Sequence, residues 1–301
     1  MTTVSFPGIG IGNFNVNSNV FDEPLFGVIS IKWYGVIIAL GMVLAFVYAW
    51  YRSKKNNVKF DDMIDLGLAA IIFGVIGARL YYVVMKHEAY HSFMDVIAIW
   101  NGGLAIYGGI IFGALAVFIT AKIKKMNFPL CADIILPGVM IAQALGRWGN
   151  FFNGEAYGGV VAQGSPLYFL RMGIYPNNIS NAMEYVHPTF FYESLWNVLG
   201  FVLINILWNK GKKKFDGEVG LWYVSWYGFG RMLIEGLRTD SLYVGSVRIS
   251  QLVGLLCFVV GASVIVWRRI VIGKKAKSAV EDGNVLNETK IETDKKENEN
   301  G

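Results

Sequence analysis

Seven apolar stretches, near 33–51, 62–85, 102–121, 130–146, 189–208, 217–237 and 248–267, decide what this chain can fold into. Each is long enough, or nearly so, for a helix to cross a hydrocarbon layer of about 30 Å. Composition agrees: 54% of residues are hydrophobic and only 16% charged, with a mean hydropathy of +0.44. Soluble domains carry nearer a quarter charged residues. The expected fold is therefore an all-α integral membrane protein with seven transmembrane helices. The segment 148–188 is too long and too polar for a simple turn, and predicts a small external head between helices 4 and 5. The fourth run is the shortest and contains Pro137, which predicts a kink or a deeper start.

The basic residues orient the bundle. Arg52, Lys54, Lys55 and Lys59 follow the first run; Lys122, Lys124 and Lys125 follow the third. Lys210, Lys212, Lys213 and Lys214 follow the fifth, and Arg268, Arg269, Lys274, Lys275 and Lys277 the seventh. These four segments hold more than half of the 27 lysines and arginines. Positive charge is retained on the cytoplasmic side, so the N-terminus is expected outside and the C-terminus inside. Residues 1–30 have no basic residue before the bundle, unlike the charged opening of a cleavable signal peptide, and form an expected external segment. Residues 31–270 form the transmembrane domain, and 271–301, rich in Glu, Lys and Asn, an expected disordered cytoplasmic tail.

The cations left over are of a different kind. Lys32, Arg79, Lys86, Arg147, Arg171, Arg231, Arg238 and Arg248 are mostly arginine, whereas lysine dominates the cytoplasmic segments. A guanidinium suits bidentate phosphate recognition, while lysine suffices for orientation. Arg79, Arg147, Arg231 and Arg238 are all expected near the outer leaflet. Arg231, Glu235 and Arg238, spaced i, i+4, i+7, line one helix face. Pairing Arg231 with Glu235 still leaves more arginines than carboxylates, and a surplus facing a bundle interior favours an anionic ligand.

Two glycine-rich stretches flank this level. In Gly146-Arg147-Trp148-Gly149-Asn150-Phe151-Phe152-Asn153-Gly154-Glu155-Ala156-Tyr157-Gly158, four glycines suit a backbone that turns sharply or approaches a ligand. If the helix persists one more turn, Arg147 and Asn150 stand side by side and can grip an anionic headgroup. The competing reading is a connector whose arginine snorkels to the interface. In Asn101-Gly102-Gly103-Leu104-Ala105-Ile106-Tyr107-Gly108-Gly109, the glycines resemble a broken helix lining a cavity, with Tyr107 pointing into it. Gly109 and Gly113 have small-xxx-small packing spacing. Cys131 and Cys257 lack metal-ligand spacing and read as buried hydrophobes. The His87/His91 pair has zinc-like i, i+4 spacing but lacks a third ligand in a known pattern. Nucleophile elbows, phosphate loops and dinucleotide fingerprints are missing, and the topological use of the basic residues argues against nucleic acid.

Six blocks in order resemble the phosphatidylglycerol–prolipoprotein diacylglyceryl transferase family. They are Lys32-Trp33-Tyr34-Gly35, Gly77-Ala78-Arg79-Leu80, Gly102-Gly103-Leu104, the Gly146–Glu155 run, His187-Pro188-Thr189 through Glu193, and Arg231 with Glu235 and Arg238. The resemblance covers about residues 30–265. It implies a bacterial plasma-membrane enzyme that moves the diacylglyceryl group of phosphatidylglycerol onto the signal-sequence cysteine of a prolipoprotein, releasing glycerol phosphate, without cofactor or metal. Carried over onto matching positions, it implies catalytic roles for Arg147, Arg231, Tyr107 and Glu235. It implies substrate contacts for Arg147, Asn150, Glu155, Arg231, Arg238, Tyr34, Asn153 and Gly158.

One position departs from the family. Relatives carry histidine where Tyr107 stands, and a phenol with a pKa near 10 is a poor base at neutral pH. Either Tyr107 positions substrate while the arginines lower the thiol pKa, or another group such as Glu235 takes the proton. The reading from another class is a transporter or channel for an anionic solute, which uses the same broken helices and buried arginines. The absence of an internal repeat argues against it. A non-catalytic lipid-binding scaffold is a third reading.

Overall fold

The computed structural model describes residues 2–21, 30–90, 92–175, 183–239 and 241–299. Parts of the N-terminal segment (22–29), the head (176–182) and the tail (300–301) lie outside them, as does His91, the second member of the histidine pair. Side chains beyond Ser278 are also undescribed.

The apolar runs are helices: α1 (Trp33–Lys55), α2 (Phe60–Met85), α4 (Ile106–Ile123), α5 (Phe128–Asn153), α6 (Thr189–Asn209), α7 (Glu218–Glu235) and α8 (Ile249–Glu299), with a short α3 (Phe93–Ile97) after α2. Among the described residues six helices are long and apolar enough to cross a membrane: α1, α2, α4, α5, α6 and Ile249–Ser278 of α8. The chain is thus a mostly helical, multi-pass membrane protein. α7, the seventh expected crossing, falls short of that criterion because its 18 residues include Glu218, Arg231 and Glu235. The tail expected from composition continues the helical trace of α8 to Glu299.

Two boundaries differ from expectation, for different reasons. α5 does not stop near 146 but runs on to Asn153, so Gly146 and Gly149 are helical. Its end comes at Gly154, whose φ of 65° is a left-handed cap that glycine tolerates without strain. α4 starts late, at Ile106, because Gly102 and Gly103 hold φ of 84° and 77°. The break therefore precedes the helix. α2 and α4 then pack closely: a Cβ on Gly108 would lie 2.2 Å from the Gly77 carbonyl oxygen. Gly109 faces Gly74 and Gly113 faces Ala70, as small-residue packing predicts.

Two small sheets add to the helical reading. β1 (Thr2–Phe6), β2 (Ile11–Val16), β3 (Met172–Ile174) and β4 (Glu184–Val186) form an antiparallel sheet in the order β2-β1-β3-β4. β1 meets β3 with Val4 opposite Ile174, so the N-terminal segment and the head are one layer, not two units. Val4, Val16, Met172, Ile174 and Val186 bury their side chains together with Phe190 of α6. Strands of three residues leave little periodic signal in a sequence. A ribbon of β5 (Tyr243–Val244) and β6 (Val247–Arg248) joins α7 to α8.

At the opposite, lysine-rich end, buried carboxylates fix helix ends. Asp133 of α5 is fully buried and accepts hydrogen bonds from the Gly217 and Gly220 amides, both 2.8 Å. It thereby caps α7, whose own N-cap residue is a glycine without a side chain. Lys213 pairs with the same carboxylate at 2.8 Å and with Asp216 at 2.8 Å. The Lys213 ammonium beside it holds the Asp216 carboxyl below the usual carboxylate range.

Candidate active site

Glu193 is the hub of a charged cluster at the head end of α5, α6 and α7. It lies in the second turn of α6 and is 4% exposed. Arg147 Nη2 reaches one of its oxygens at 2.6 Å; Arg231 Nη1 and Arg238 Nη1 reach the other at 2.9 and 3.3 Å. Glu235, 2% exposed, pairs with Arg231 Nη2 at 2.6 Å and stands 4.0 Å from Arg238 Nε. Three guanidinium groups thus meet two carboxylates in a nearly buried place.

Packing explains why these side chains meet. Trp196 of α6 and Trp226 of α7 stack with centroids 4.3 Å apart, each indole N–H donating to the other's backbone carbonyl at 2.9 Å. Gly230 lies under Trp196 and Gly200 under Trp226, where a Cβ would meet the indoles at 2.1 and 2.2 Å. That lock sets α6 against α7 in a register that puts Glu193 opposite Arg231. Trp148 of α5 donates to Ser194 Oγ at 3.1 Å and fixes the third helix.

The extension of α5 makes Arg147 and Asn150 neighbours: Arg147 Nη1 donates to Asn150 Oδ1 at 3.3 Å. Asn150 Nδ2 and Asn153 Nδ2 both donate to Glu155 Oε1, at 3.1 and 3.0 Å. The left-handed Gly154 folds the chain back so that the Glu155 amide bonds Asn150 O at 3.0 Å. Gly158 donates its amide to His187 O at 2.8 Å and bridges the Arg238 backbone. A Cβ there would stand 2.7 Å from both His187 Cβ and Leu237 O. Gly158 therefore seats Arg238 through the backbone. His187 itself is half-buried, and burial pushes its pKa below the usual value. Tyr34, in the first turn of α1, lies against Gly149, where a Cβ would touch its ring at 2.6 Å.

Two sequence-predicted residues stand apart from the cluster. Tyr107 pairs with Ser250 of α8, Oη to Oγ 3.0 Å. Ser250 is one turn before Gly254, where a Cβ would lie 3.3 Å from Arg231 Cβ. Tyr107 thus touches the helix that packs against α7, not the cluster itself. Arg79 is not with the other arginines. It donates to the carbonyls of Asp95, Val96, Ala98, Gly102 and Gly103, at 2.6–3.2 Å, and organises the loop before α4.

The sequence reading missed Glu193 as a site residue and expected Arg147 to lack a carboxylate of its own. The signal was present: a carboxylate within the first turns of an apolar helix is costly unless paired. Ser250 gave no comparable signal. Chemically, the cluster can hold a phosphate and stabilise charge that develops on it, because its donors are already in place.

The family model for prolipoprotein diacylglyceryl transferase matches residues 24–267. The chain is 44% identical over 259 residues to phosphatidylglycerol–prolipoprotein diacylglyceryl transferase 1 of Clostridium perfringens, covering 84% of this chain and 96% of that protein. It is 44% identical over 248 residues to the phosphatidylglycerol–prolipoprotein diacylglyceryl transferase of Streptococcus agalactiae, 81% of this chain and 93% of the relative. The Listeria monocytogenes protein of the same name is 43% identical over 249 residues, 81% and 88% of the two chains.

Proposed function

The chain belongs to the prolipoprotein diacylglyceryl transferase family, and from that premise we propose how its charged cluster performs the transfer. It is a transferase that moves the diacylglyceryl group of phosphatidylglycerol to a prolipoprotein. The acceptor is the signal-sequence cysteine: its sulfur attacks the glyceryl carbon, a C–S bond forms, and the C–O bond to phosphate breaks. The electron pair leaves with glycerol phosphate. Arg147 and Arg231 hold that phosphate, and the supporting observation is that both guanidinium groups, from two different helices, already converge on Glu193, at 2.6 and 2.9 Å. The two glutamates hold the arginines together against their mutual repulsion.

Asn150, Asn153 and Glu155 act behind Arg147, orienting it through the Asn150 amide. Arg238 completes the cluster from the loop that Gly158 seats, and Tyr34 of α1 packs against Gly149 on α5. The thiol proton goes to a base or is lost to an already lowered pKa; thiols near cations ionise more readily than the usual value of about 8.5. Tyr107, paired with Ser250, positions substrate, and Glu235 is the candidate acceptor.

The proposed topology is seven crossings with the N-terminus and the head outside. α7 completes the count because its charges face partners inside the bundle: Glu235 the arginines, Glu218 Arg269. The test is transfer from labelled phosphatidylglycerol to a peptide containing the signal-sequence cysteine by the purified protein. A labelled thioether is expected; a folded protein that yields none overturns the reading.

A further inference from the structure

One helical turn deeper than the charged cluster lies a second polar layer. On α5, Gln143 is one turn before Arg147; on α6, Asn197 is one turn after Glu193. Asn197 is 2% exposed, and its Nδ2 donates to the Glu193 backbone carbonyl at 2.9 Å. A backbone carbonyl only accepts, so the amide nitrogen must face it and Oδ1 must point the other way. Gln143 Nε2 donates to Tyr223 Oη of α7 at 3.0 Å. Asn197 Oδ1 and Gln143 Oε1 are both shielded from solvent and have no hydrogen-bond partner among the described residues.

The helices that carry the two amides pack closely one turn below them. Met140, one turn below Gln143, meets Gly200, one turn below Asn197: a Cβ on Gly200 would lie 2.5 Å from Met140 Cε. Met140, Ile204 and Tyr223 close the layer from below as an apolar floor. A buried acceptor left unpaired is costly, so this layer calls for a donor. Ester carbonyls of a diacylglyceryl group offer none. Hydroxyls do.

We propose that the amide oxygens of Asn197 and Gln143 accept hydrogen bonds from the hydroxyls of the glycerol headgroup, and so select a polyol over other phospholipid headgroups. The inference rests on the phosphate site proposed above. With phosphate at Arg147 and Arg231, the headgroup hydroxyls lie about one helical turn, ~5 Å, farther on. That is the spacing between the charged cluster and the two amides.

The experiment compares two donors with the full-length protein in mixed micelles and a cysteine peptide: phosphatidylglycerol and phosphatidylpropanol, which lacks headgroup hydroxyls. The parent protein should prefer phosphatidylglycerol in kcat/KM by about tenfold or more, since sites built around a hydroxyl reject analogues without it. Asn197→Leu and Gln143→Leu should each lower transfer from phosphatidylglycerol more than from phosphatidylpropanol, moving the ratio towards one. With the parent alone, glycerol phosphate should inhibit at a lower concentration than propyl phosphate, which does not depend on either variant folding. A parent that treats the two donors or the two inhibitors alike overturns the inference, as do variants that keep the parental ratio. A parent that transfers from neither lipid instead overturns the functional reading itself.

Discussion

Glu193 decides how the arginines behave. A carboxylate that receives three guanidinium groups is held in place by all of them, and each arginine is oriented by it. Arg147→Ala or Arg231→Ala should lower transfer by roughly a hundredfold or more, the loss of one donor to a developing anion being worth about 2.7–4 kcal/mol. Lysine at either position should restore only part of the rate, since a point charge cannot reproduce the planar fork. Glu193→Gln should instead destabilise the protein, because the carboxylate that three arginines meet would be lost; removing one member of a buried ion pair costs about 3–5 kcal/mol. Melting in detergent separates the cases: the arginine variants should melt closer to the parent than Glu193→Gln does. Arginine variants that fold well and keep near-normal transfer would remove the phosphate clamp. Tyr107→Phe should slow turnover without abolishing it, and Tyr107→His should keep activity. A folded Phe variant with no detectable turnover would make the phenol a direct participant.

Helix ends carry as much of the architecture as helix faces. α7 brings Arg231 and Glu235 to the site from one end and is held at the other by Asp133, a residue of α5 far away in sequence. Asp133→Ala removes two amide acceptors and the partner of Lys213 from a fully buried place. Unfolding stability should fall by about 3 kcal/mol or more, with Asp133→Asn less damaging because one acceptor oxygen remains. An unchanged melting temperature for the alanine variant would show that α7 needs no cap from α5. The α2–α4 pair is held differently, by backbone approach at Gly77 and Gly108. No side chain fits there without separating the helices, so Gly108→Leu should disrupt that pair while the α6–α7 tryptophan lock, on other helices, survives.

At the scale of the whole molecule the two ends are chemically unlike. The head end gathers arginines around two buried carboxylates; the other end carries lysines, of which Lys213 pairs with Asp133 and Asp216 and Lys124 with Asp62 and Asp65. Hydrogen bonding to those aspartates pushes the Lys124 pKa up to about 12. The proposed orientation puts the lysine end in the cytoplasm. Single cysteines at Lys54, Lys124 and Lys213 should resist an impermeant maleimide in intact cells, whereas cysteines between 150 and 175 should react. Labelling at the Lys124 site before lysis would reverse the orientation.

By itself the sequence located the long apolar helices, six of them able to cross a membrane among the described residues, because an apolar run of about twenty residues has one economical conformation in a bilayer. It also marked Arg147, Arg231, Glu235 and Arg238, because charges in such runs are costly and therefore conspicuous. Arg79 was equally conspicuous and is buried more deeply than the cluster arginines, yet its partners are five carbonyls in a neighbouring loop rather than the cluster. A charge in a membrane run announces that it has a partner, not which one. Glu193 at the centre, the sheet that joins Val4 to Ile174, the cap that Asp133 places on α7 and the Tyr107–Ser250 contact were decided by tertiary structure alone. Each links residues far apart in the chain, and local spacing carries no record of which helix faces which. That is fixed when interlocking surfaces such as Trp196 against Trp226 select one register from many.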